Sequence, residues 1–156
     1  MTANAQVLRW LKDIANDPNP SEWRFYTASL EEIMKVVAID HVQLAMPAGA
    51  EGKARTFYGE ILGLREIPKP AETASRGGVW FWCGGMQLHL GIESDFRPAK
   101  KAHPALTIEG YAELLKTLTE TGYEVIEDTS LPAITRCYTF DPFGNRIELI
   151  STEGTL

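Results

Sequence analysis

The feature that most constrains the fold of this chain is an order of elements that occurs twice. The first occurrence is a strand, a helix and three strands, near residues 39–47, 52–64, 64–69, 78–83 and 86–93. The second occurrence has the same order, near residues 103–108, 111–122, 123–128, 135–140 and 146–151. A connecting segment, 94–102, separates the two. The sequence therefore predicts an α+β fold of two βαβββ modules.

Turn-forming residues support this division. The pair Gly84-Gly85 predicts a hairpin turn between the last two strands of the first module. Gly122 is typical of a residue that ends a helix, here the helix of the second module. The segment 141–145, with its Pro and Gly, predicts a tight turn before the last strand.

The size and charge of the chain narrow the classes of partner. Its 156 residues, of which 44% are hydrophobic, are enough to bury one core. The formal net charge of −6 disfavours a nucleic-acid surface, because such surfaces neutralise phosphates with basic residues. No apolar stretch approaches the length that crosses a membrane. We therefore expect a small-molecule substrate and neither nucleic-acid nor membrane binding.

The chain is predicted to divide into an N-terminal helical extension, 1–37, and a domain, 38–152, whose modules span about 38–94 and 102–152. The extension is marked by apolar residues at helical spacing and by a capping-box pair, namely Val7, Leu8, Leu11 and Ile14, then Ser29 and Glu32. Cys83 and Cys137 stand alone in the sequence, which is typical of reduced thiols and favours a cytoplasmic location.

All three histidines of the chain and one glutamate occupy matched positions in the two modules. His41 lies in the first strand of the first module, and His103 lies at the start of the equivalent strand of the second. His89 and Glu148 lie in the fourth strands of the two modules. The members of each pair are roughly 60 residues apart, as a repeated unit requires. Independent structural roles do not predict such a match, so we interpret the four residues as one site.

The chemistry of these four side chains predicts a metal site. Imidazole nitrogens and a carboxylate oxygen are ligands for Zn, Ni, Co, Mn or Fe ions. Side chains alternate between the two faces of a strand, so His89 points away from Leu88 and Leu90, as Glu148 does from its own apolar neighbours. The apolar face is then available to pack under the helices, and the other face lines a cavity. We therefore predict a divalent metal ion as the cofactor.

Five segments, taken in order, resemble the vicinal oxygen chelate superfamily, which includes glyoxalase I, fosfomycin-resistance thiol transferases, methylmalonyl-CoA epimerase, extradiol dioxygenases and bleomycin-resistance proteins. The segments are IDHVQLAMP (39–47), ARTFYGEILGL (54–64), QLHLG (87–91), HPALTI (103–108) and YTFDPFGNRIELI (138–150). The resemblance implies paired βαβββ modules whose strands form curled mixed sheets around a cavity. It also implies that the metal ligands come from the first and fourth strands of each module.

Carried onto this chain, the resemblance implies His41, His89, His103 and Glu148 as metal ligands. The subset without His89 resembles the two-histidine, one-carboxylate set of the family's iron dioxygenases and metal-dependent transferases. His89 departs from the family pattern, because glyoxalase I typically has a glutamate there and the epimerase an amide. Glu148 is the better candidate for a catalytic general base, since a carboxylate accepts a carbon-bound proton more readily than a metal-bound imidazole does.

Further side chains are candidate substrate-binding residues, namely Gln43, Gln87, Trp80, Trp82, Arg136 and Tyr138. The amide, guanidinium and phenol groups would orient a substrate, and the two indole rings would form an apolar wall of the cavity. Each of these residues also has a structural interpretation, which for the tryptophans is core packing.

The resemblance implies a metal-dependent enzyme that acts on a small oxygenated substrate, by lyase or isomerase chemistry or by dioxygen insertion. Similar ligand sets serve both reaction classes, so both remain open. The alternative is a metal-free binding protein of the bleomycin-resistance type. A third possibility is a domain with a vestigial site, in which the N-terminal helices mediate assembly. Paired modules of this family commonly dimerise, so a homodimer is expected.

Overall fold

A computed structural model of the protein describes residues 35–153. The chain divides into two units, Met1–Ala38 and Ile39–Leu156, and the fold reported below belongs to the second. The two helices predicted in the N-terminal extension, around Val7 to Ile14 and after Ser29, lie outside the described residues.

The first module forms a four-stranded mixed sheet. Its elements are β1 (His41–Met46), α1 (Glu51–Ala54) continued by a π-helical segment (Arg55–Ile61), β2 (Arg65–Ile67), α2 (Ala71–Ala74), β3 (Val79–Cys83) and β4 (Met86–Ile92). The strand order is β1-β4-β3-β2, with β1 parallel to β4 and the other neighbours antiparallel.

The second module repeats this arrangement. Its elements are β5 (Ala105–Ile108), α3 (Tyr111–Glu120), β6 (Ile126–Glu127), β7 (Arg136–Phe140) and β8 (Arg146–Ser151). The strand order is β5-β8-β7-β6, again with the outer first strand parallel to the last. The predicted α+β fold of two βαβββ modules is thereby confirmed. In the described part of the chain, no helix is both long and apolar enough to cross a bilayer.

Three local features differ from the predicted elements. Strand β5 begins at Ala105, because Pro104 has no backbone N–H to donate to a neighbouring strand, and His103 therefore lies in the preceding loop. The helix of the first module ends at Ile61 in π-type turns, in which Leu62 N donates to Phe57 O at 2.9 Å. The short helix α2 was not predicted, since four residues carry too little periodicity to show.

The two mixed sheets remain separate from each other. The strands form two separate four-stranded sheets, and within the described residues these sheets do not close into a barrel. Strands β1 and β2 are the edges of the first sheet, and β5 and β6 are the edges of the second. Within the described residues, these edge strands form no backbone ladder with a strand of the other sheet.

The core lies between the helices and one face of each sheet. Strand alternation directs the buried apolar residues to that face, as Leu88 and Leu90 of β4 and Ile147 and Leu149 of β8 show. The largest fully buried side chains belong to Tyr58 and Phe57, on the helical segment of the first module. The opposite faces carry the candidate ligands His41, His89 and Glu148, and His103 lies in the loop before β5.

A buried hydrogen-bond network joins the two modules. The Tyr58 hydroxyl donates to Oδ2 of Asp141 at 2.8 Å, so the helix of the first module contacts the last turn of the second. The Asn145 side-chain amide donates to the same carboxylate and to the Ala45 carbonyl, both at 2.8 Å. Burial raises the pKa of Asp141, and the hydrogen bonds from Asn145 and Tyr58 act in the opposite direction.

Removing the Tyr58 hydroxyl is expected to destabilise the fold. The substitution Tyr58→Phe leaves the buried Asp141 carboxylate with one donor fewer, which costs about 1 to 2 kcal/mol in free energy of unfolding. Urea denaturation measures the change. Tyr123→Phe is the matched control, because that ring packs beside Phe57 without a hydroxyl hydrogen bond in the described part of the chain. Equal stabilities of the two variants would show that the network contributes little.

Candidate metal and substrate site

The predicted ligand residues lie in two pairs, one on each sheet. The His41 and His89 rings are stacked, with centroids 4.5 Å apart. His103 Nε2 lies 2.9 Å from Oε2 of Glu148. Among residues 35–153, no three His, Cys, Asp or Glu side chains converge closely enough to hold a metal ion. One copy of the chain therefore brings the predicted residues together as two half-sites.

The contacts of His103 determine which of its nitrogens is protonated. Nδ1 lies 2.8 Å from the Lys101 carbonyl oxygen, which only accepts, so Nδ1 carries a proton and donates it. In the neutral ring, Nε2 is then an unprotonated acceptor that faces the Glu148 carboxylate, which is also an acceptor. Such a pair of acceptors is satisfied only by a cation, either a proton on Nε2 or a metal ion bound by both groups.

The Glu148 carboxylate is held on both oxygens. Arg136 donates from Nη1 to Oε1 at 2.8 Å, and from Nη2 to Asp128 at 2.8 Å and Ser130 at 3.0 Å. Burial raises the pKa of Glu148, but the hydrogen bonds from His103 and Arg136 outweigh it, so the pKa lies below its ordinary value. Arg136, a predicted substrate-binding residue, is thus engaged with other side chains of its own module.

Tyr138, on β7, lies at the centre of this half-site. Its ring meets the His103 ring edge-on, with centroids 5.3 Å apart. On the face of the ring lies the guanidinium of Arg146, with Cζ 3.6 Å from the centroid. The predicted substrate residue Tyr138 therefore links the ligand pair to a second arginine.

The half-site on the first sheet is aromatic. His41 Nδ1 lies 2.8 Å from Asp40 Oδ1, so it donates to that carboxylate and leaves Nε2 available. His89 is stacked between His41 and Trp80, whose ring is 3.9 Å away at an interplanar angle of 5°. His89 Nε2 lies 2.9 Å from Gln87 Oε1, which leaves Nδ1.

Desolvation favours the neutral form of His89. Burial lowers the pKa of this residue, and repulsion from His41 lowers it further. A neutral imidazole is the form that binds a metal ion. The hydrogen bond to Gln87 and the stacking on Trp80 hold its ring in one orientation, so these two predicted substrate residues also position a predicted ligand.

The other predicted substrate residues of the first sheet reach the same open face. Gln43 lies on β1, and its amide packs over Gly91, where a Cβ atom would stand 2.8 Å from Nε2. Glycine at this position therefore makes room for the amide. Trp82 shares a strand face with Trp80 and remains 42% exposed. The face thus presents an amide and an indole ring beside the stacked histidines.

The sequence analysis did not single out several residues of the site, namely Asp40, Asp128, Ser130 and Arg146. Only Arg146 carries a local signal, because it precedes Glu148 by two residues and so shares its face of β8. Asp128 and Ser130 lie after the end of β6, in an irregular segment with no period that marks them.

Acid titration is expected to separate the contribution of Glu148 from that of other carboxylates. Its pKa is lowered by folding, so its contribution to stability is present above the ordinary value of 4.5 and is lost as the pH falls. With a chelator present, the free energy of unfolding should fall more steeply from about pH 5 to 3 in the unmodified protein than in Glu148→Gln. Glu124→Gln, at an exposed position, is the control. Identical slopes for all three proteins would contradict the expectation.

The chain is similar to known proteins in sequence and in structure. Residues 38–149 match the model of the Glyoxalase/Bleomycin resistance protein/Dioxygenase superfamily. Among curated protein sequences, none matches this chain significantly. The structure is similar to that of a glyoxalase family protein from Bacillus anthracis, at 49% identity and a TM-score of 0.73. That alignment covers 76% of this chain and 97% of the other.

Two more distant structures share the fold. Lactoylglutathione lyase from Agrobacterium tumefaciens is 20% identical with a TM-score of 0.59, and the alignment covers 76% of this chain and 96% of that one. The fosfomycin resistance protein FosX from Listeria monocytogenes is 17% identical with a TM-score of 0.62, covering 78% of this chain and all of FosX. The family model matches well over half of the chain, and the 49% identity agrees with it. This chain belongs to the Glyoxalase/Bleomycin resistance protein/Dioxygenase superfamily.

Proposed function

We propose that the protein is a metal-dependent enzyme that acts on a small oxygenated substrate by chelating two of its neighbouring oxygens to a divalent ion. The observation that carries this proposal is the contact between His103 and Glu148. Nδ1 of His103 is committed to a carbonyl oxygen, so the neutral ring and the carboxylate direct two acceptors at each other at 2.9 Å. A cation resolves that conflict, either a proton on Nε2 or, as we propose for the active protein, a divalent ion bound by both groups.

The donor set suits a divalent transition metal. Two ligand atoms at about 2.1 Å from an ion and at right angles stand about 3 Å apart, close to the separation of His103 Nε2 and Glu148 Oε2. His41 supplies a further Nε2, oriented by the Asp40 carboxylate in the way that typically supports a metal-bound histidine. His89 would contribute Nδ1. Imidazole and carboxylate ligands are compatible with Zn, Ni, Co, Mn or Fe.

We propose further that the complete site forms between two copies of the chain. The His41 side chain is 47% exposed on the first sheet, and Trp82, two strands away on the same sheet, is 42% exposed. In a two-fold symmetric dimer, the first sheet of one copy can face the second sheet of its partner. The dimer then contains two complete sites, each made of one half-site from each copy. This arrangement supplies four ligands per ion and covers both exposed side chains.

The remaining side chains have distinct roles in this proposal. A bound divalent ion supplies Lewis-acid polarisation of the substrate oxygens or, if it is redox-active, oxygen chemistry. Gln43 offers an exposed amide that orients the substrate, and Trp82 offers an open ring on which a planar group stacks. Gln87 and Trp80 hold His89, and Arg136 holds Glu148.

The reaction class remains lyase or isomerase chemistry or dioxygen insertion. Relatives in fold include a lactoylglutathione lyase, which supports the first class. The alternative function is metal-free binding of a small molecule, as in bleomycin-resistance proteins. The oriented histidines count against it, because a binding cavity does not require an imidazole nitrogen held free by a carboxylate on the other. A cytoplasmic location stays a prediction from the unpaired Cys83 and Cys137.

Metal content tests both the cofactor and the shared site. Untagged protein prepared with and without oxygen should contain about one ion per chain, and its identity separates Lewis-acid from oxygen chemistry. His41→Ala and Glu148→Ala should each lose it. If the two variants are co-expressed, half of the dimers contain one copy of each and have one intact site, so metal content should recover to about a quarter of the original.

Different outcomes of this experiment would overturn the shared site and the metal dependence. No recovery on co-expression, with metal in the unmodified protein, would place all ligands in one chain and overturn the shared site. Absence of metal from the unmodified protein, even after Zn, Mn, Fe or Ni is added, would overturn metal dependence and leave the binding function.

The general-base role of Glu148 has its own test. Its lowered pKa keeps the carboxylate ionised at neutral pH, as a proton acceptor must be, while the hydrogen bonds from His103 and Arg136 weaken its drive to take a proton. On an identified substrate, Glu148→Gln should lower kcat by about 100-fold or more if this carboxylate takes the proton. Full turnover by the variant would exclude the role.

A further inference from the structure

Arg146 presents a guanidinium group to the same sheet face as Glu148. The two residues are separated by one position on β8, and strand alternation places their side chains on one side. The guanidinium lies over the Tyr138 ring at 3.6 Å from Cζ to the ring centroid. This short distance is that of a flat stack, in which cation–π attraction holds the plane of the guanidinium.

The polar edge of Arg146 is unpaired in the part of the chain that the structure describes. Within residues 35–153 no carboxylate, carbonyl or hydroxyl accepts a hydrogen bond from it. Arg55 and Arg136 differ, since Arg55 is paired with Glu66 and Arg136 with Glu148 and Asp128. A guanidinium carries five N–H donors in its own plane, so stacking by its face leaves those donors directed outward.

The Arg146 guanidinium lies close to the pair formed by His103 and Glu148, because Tyr138 contacts both. Tyr138 is the cross-strand partner of Glu148, and its ring also touches the His103 ring. The same ring therefore supports the free guanidinium and borders the half-site. A molecule that reaches His103 and Glu148 lies beside a fork of N–H donors whose orientation is already determined.

The balance of charge around Tyr138 indicates what this fork binds. The side chains of Glu148 and Asp128 carry two negative charges, and those of Arg136 and Arg146 carry two positive charges. A divalent ion bound at the proposed site would leave an excess of positive charge, which an anionic ligand offsets. Guanidinium groups bind carboxylate and phosphate-type groups through two parallel hydrogen bonds.

We propose that Arg146 is the substrate-anchoring residue of this site and binds an anionic group, a carboxylate or a phosphate-type group. The substrate is then a small acid in which this group lies close to the pair of oxygens that meet the metal. The inference rests on the proposed function for the place where the substrate binds. The position of the guanidinium over Tyr138 does not depend on the metal, so anion binding by Arg146 can be tested with the metal removed.

Anion titration of the full-length protein tests the proposal. Inorganic phosphate and acetate are added separately at constant ionic strength, with a chelator present so that neither anion reports on a metal. The readout is the Nε–Hε nitrogen resonance of Arg146, identified by its absence from Arg146→Gln. A saturable shift is expected with at least one anion. Phosphate alone indicates a phosphate-type group, and acetate alone indicates a carboxylate.

Variants at Arg146 and at a control position show whether the anion binds at this residue. Followed through the backbone resonances around Tyr138, Arg146→Gln should weaken binding by about 10- to 100-fold, since it removes a charge-assisted pair of hydrogen bonds. Arg146→Lys keeps the charge without the planar fork, so its affinity for the anion should lie between those of the unmodified protein and Arg146→Gln. Arg76→Gln, at an exposed position in the first module, removes the same charge and should bind as the unmodified protein does.

Several outcomes would overturn the proposal. These are no saturable shift with either anion, binding by Arg146→Gln as tight as by the unmodified protein, or an equal loss in Arg76→Gln. Thermal unfolding of each variant shows whether Arg146→Gln has lost its fold, and Arg146→Lys then carries the comparison. A failure of metal binding in the co-expression experiment would leave these results unchanged, so the two proposals fail separately.

Discussion

The hydrogen bonds of the buried Asp141 carboxylate set how the two modules pack together. Tyr58 reaches it from the first module, and Asn145 connects it to the Ala45 carbonyl on β1. Polar groups at this depth are costly unless they are paired, so the contacts allow few other arrangements of helix and turn. Since the helices then occupy one face of each sheet, the candidate ligands are left on the other.

The two half-sites differ in chemistry. In the first, aromatic rings dominate, and His89 is held by stacking and by an amide. In the second, a series of polar contacts connects His103, Glu148, Arg136 and Asp128. The first suits an uncharged, planar part of a ligand, and the second suits a cation and the anion that accompanies it. In the proposed shared site, each pair would supply the chemistry that the other lacks.

Local pattern was a reliable guide to the strands of this protein and to their faces. Leu88 and Leu90 are buried against the core as the alternation around His89 predicts, and the matched position of Glu148 lies on the equivalent strand. Pattern was less reliable where the backbone leaves regular geometry. The π-helical turns near Leu62 and the late start of β5 after Pro104 depend on the hydrogen bonds that each backbone group finds in the folded chain.

The sequence by itself determined the order of elements, the inward and outward faces of the strands and the identity of the four candidate ligands. These properties follow from the period of side chains along the backbone and from a repeat of about 60 residues, both of which are local or internal to the chain.

Only the tertiary structure decided which nitrogen of each histidine is left free. It alone decided that Arg136 is hydrogen-bonded to Glu148 and that Arg146 lies over Tyr138. It also decided that one chain brings the candidate ligands together as two pairs. The physical reason is that these properties depend on contacts between side chains from different strands and loops, and no period in the sequence encodes the distance between two such atoms.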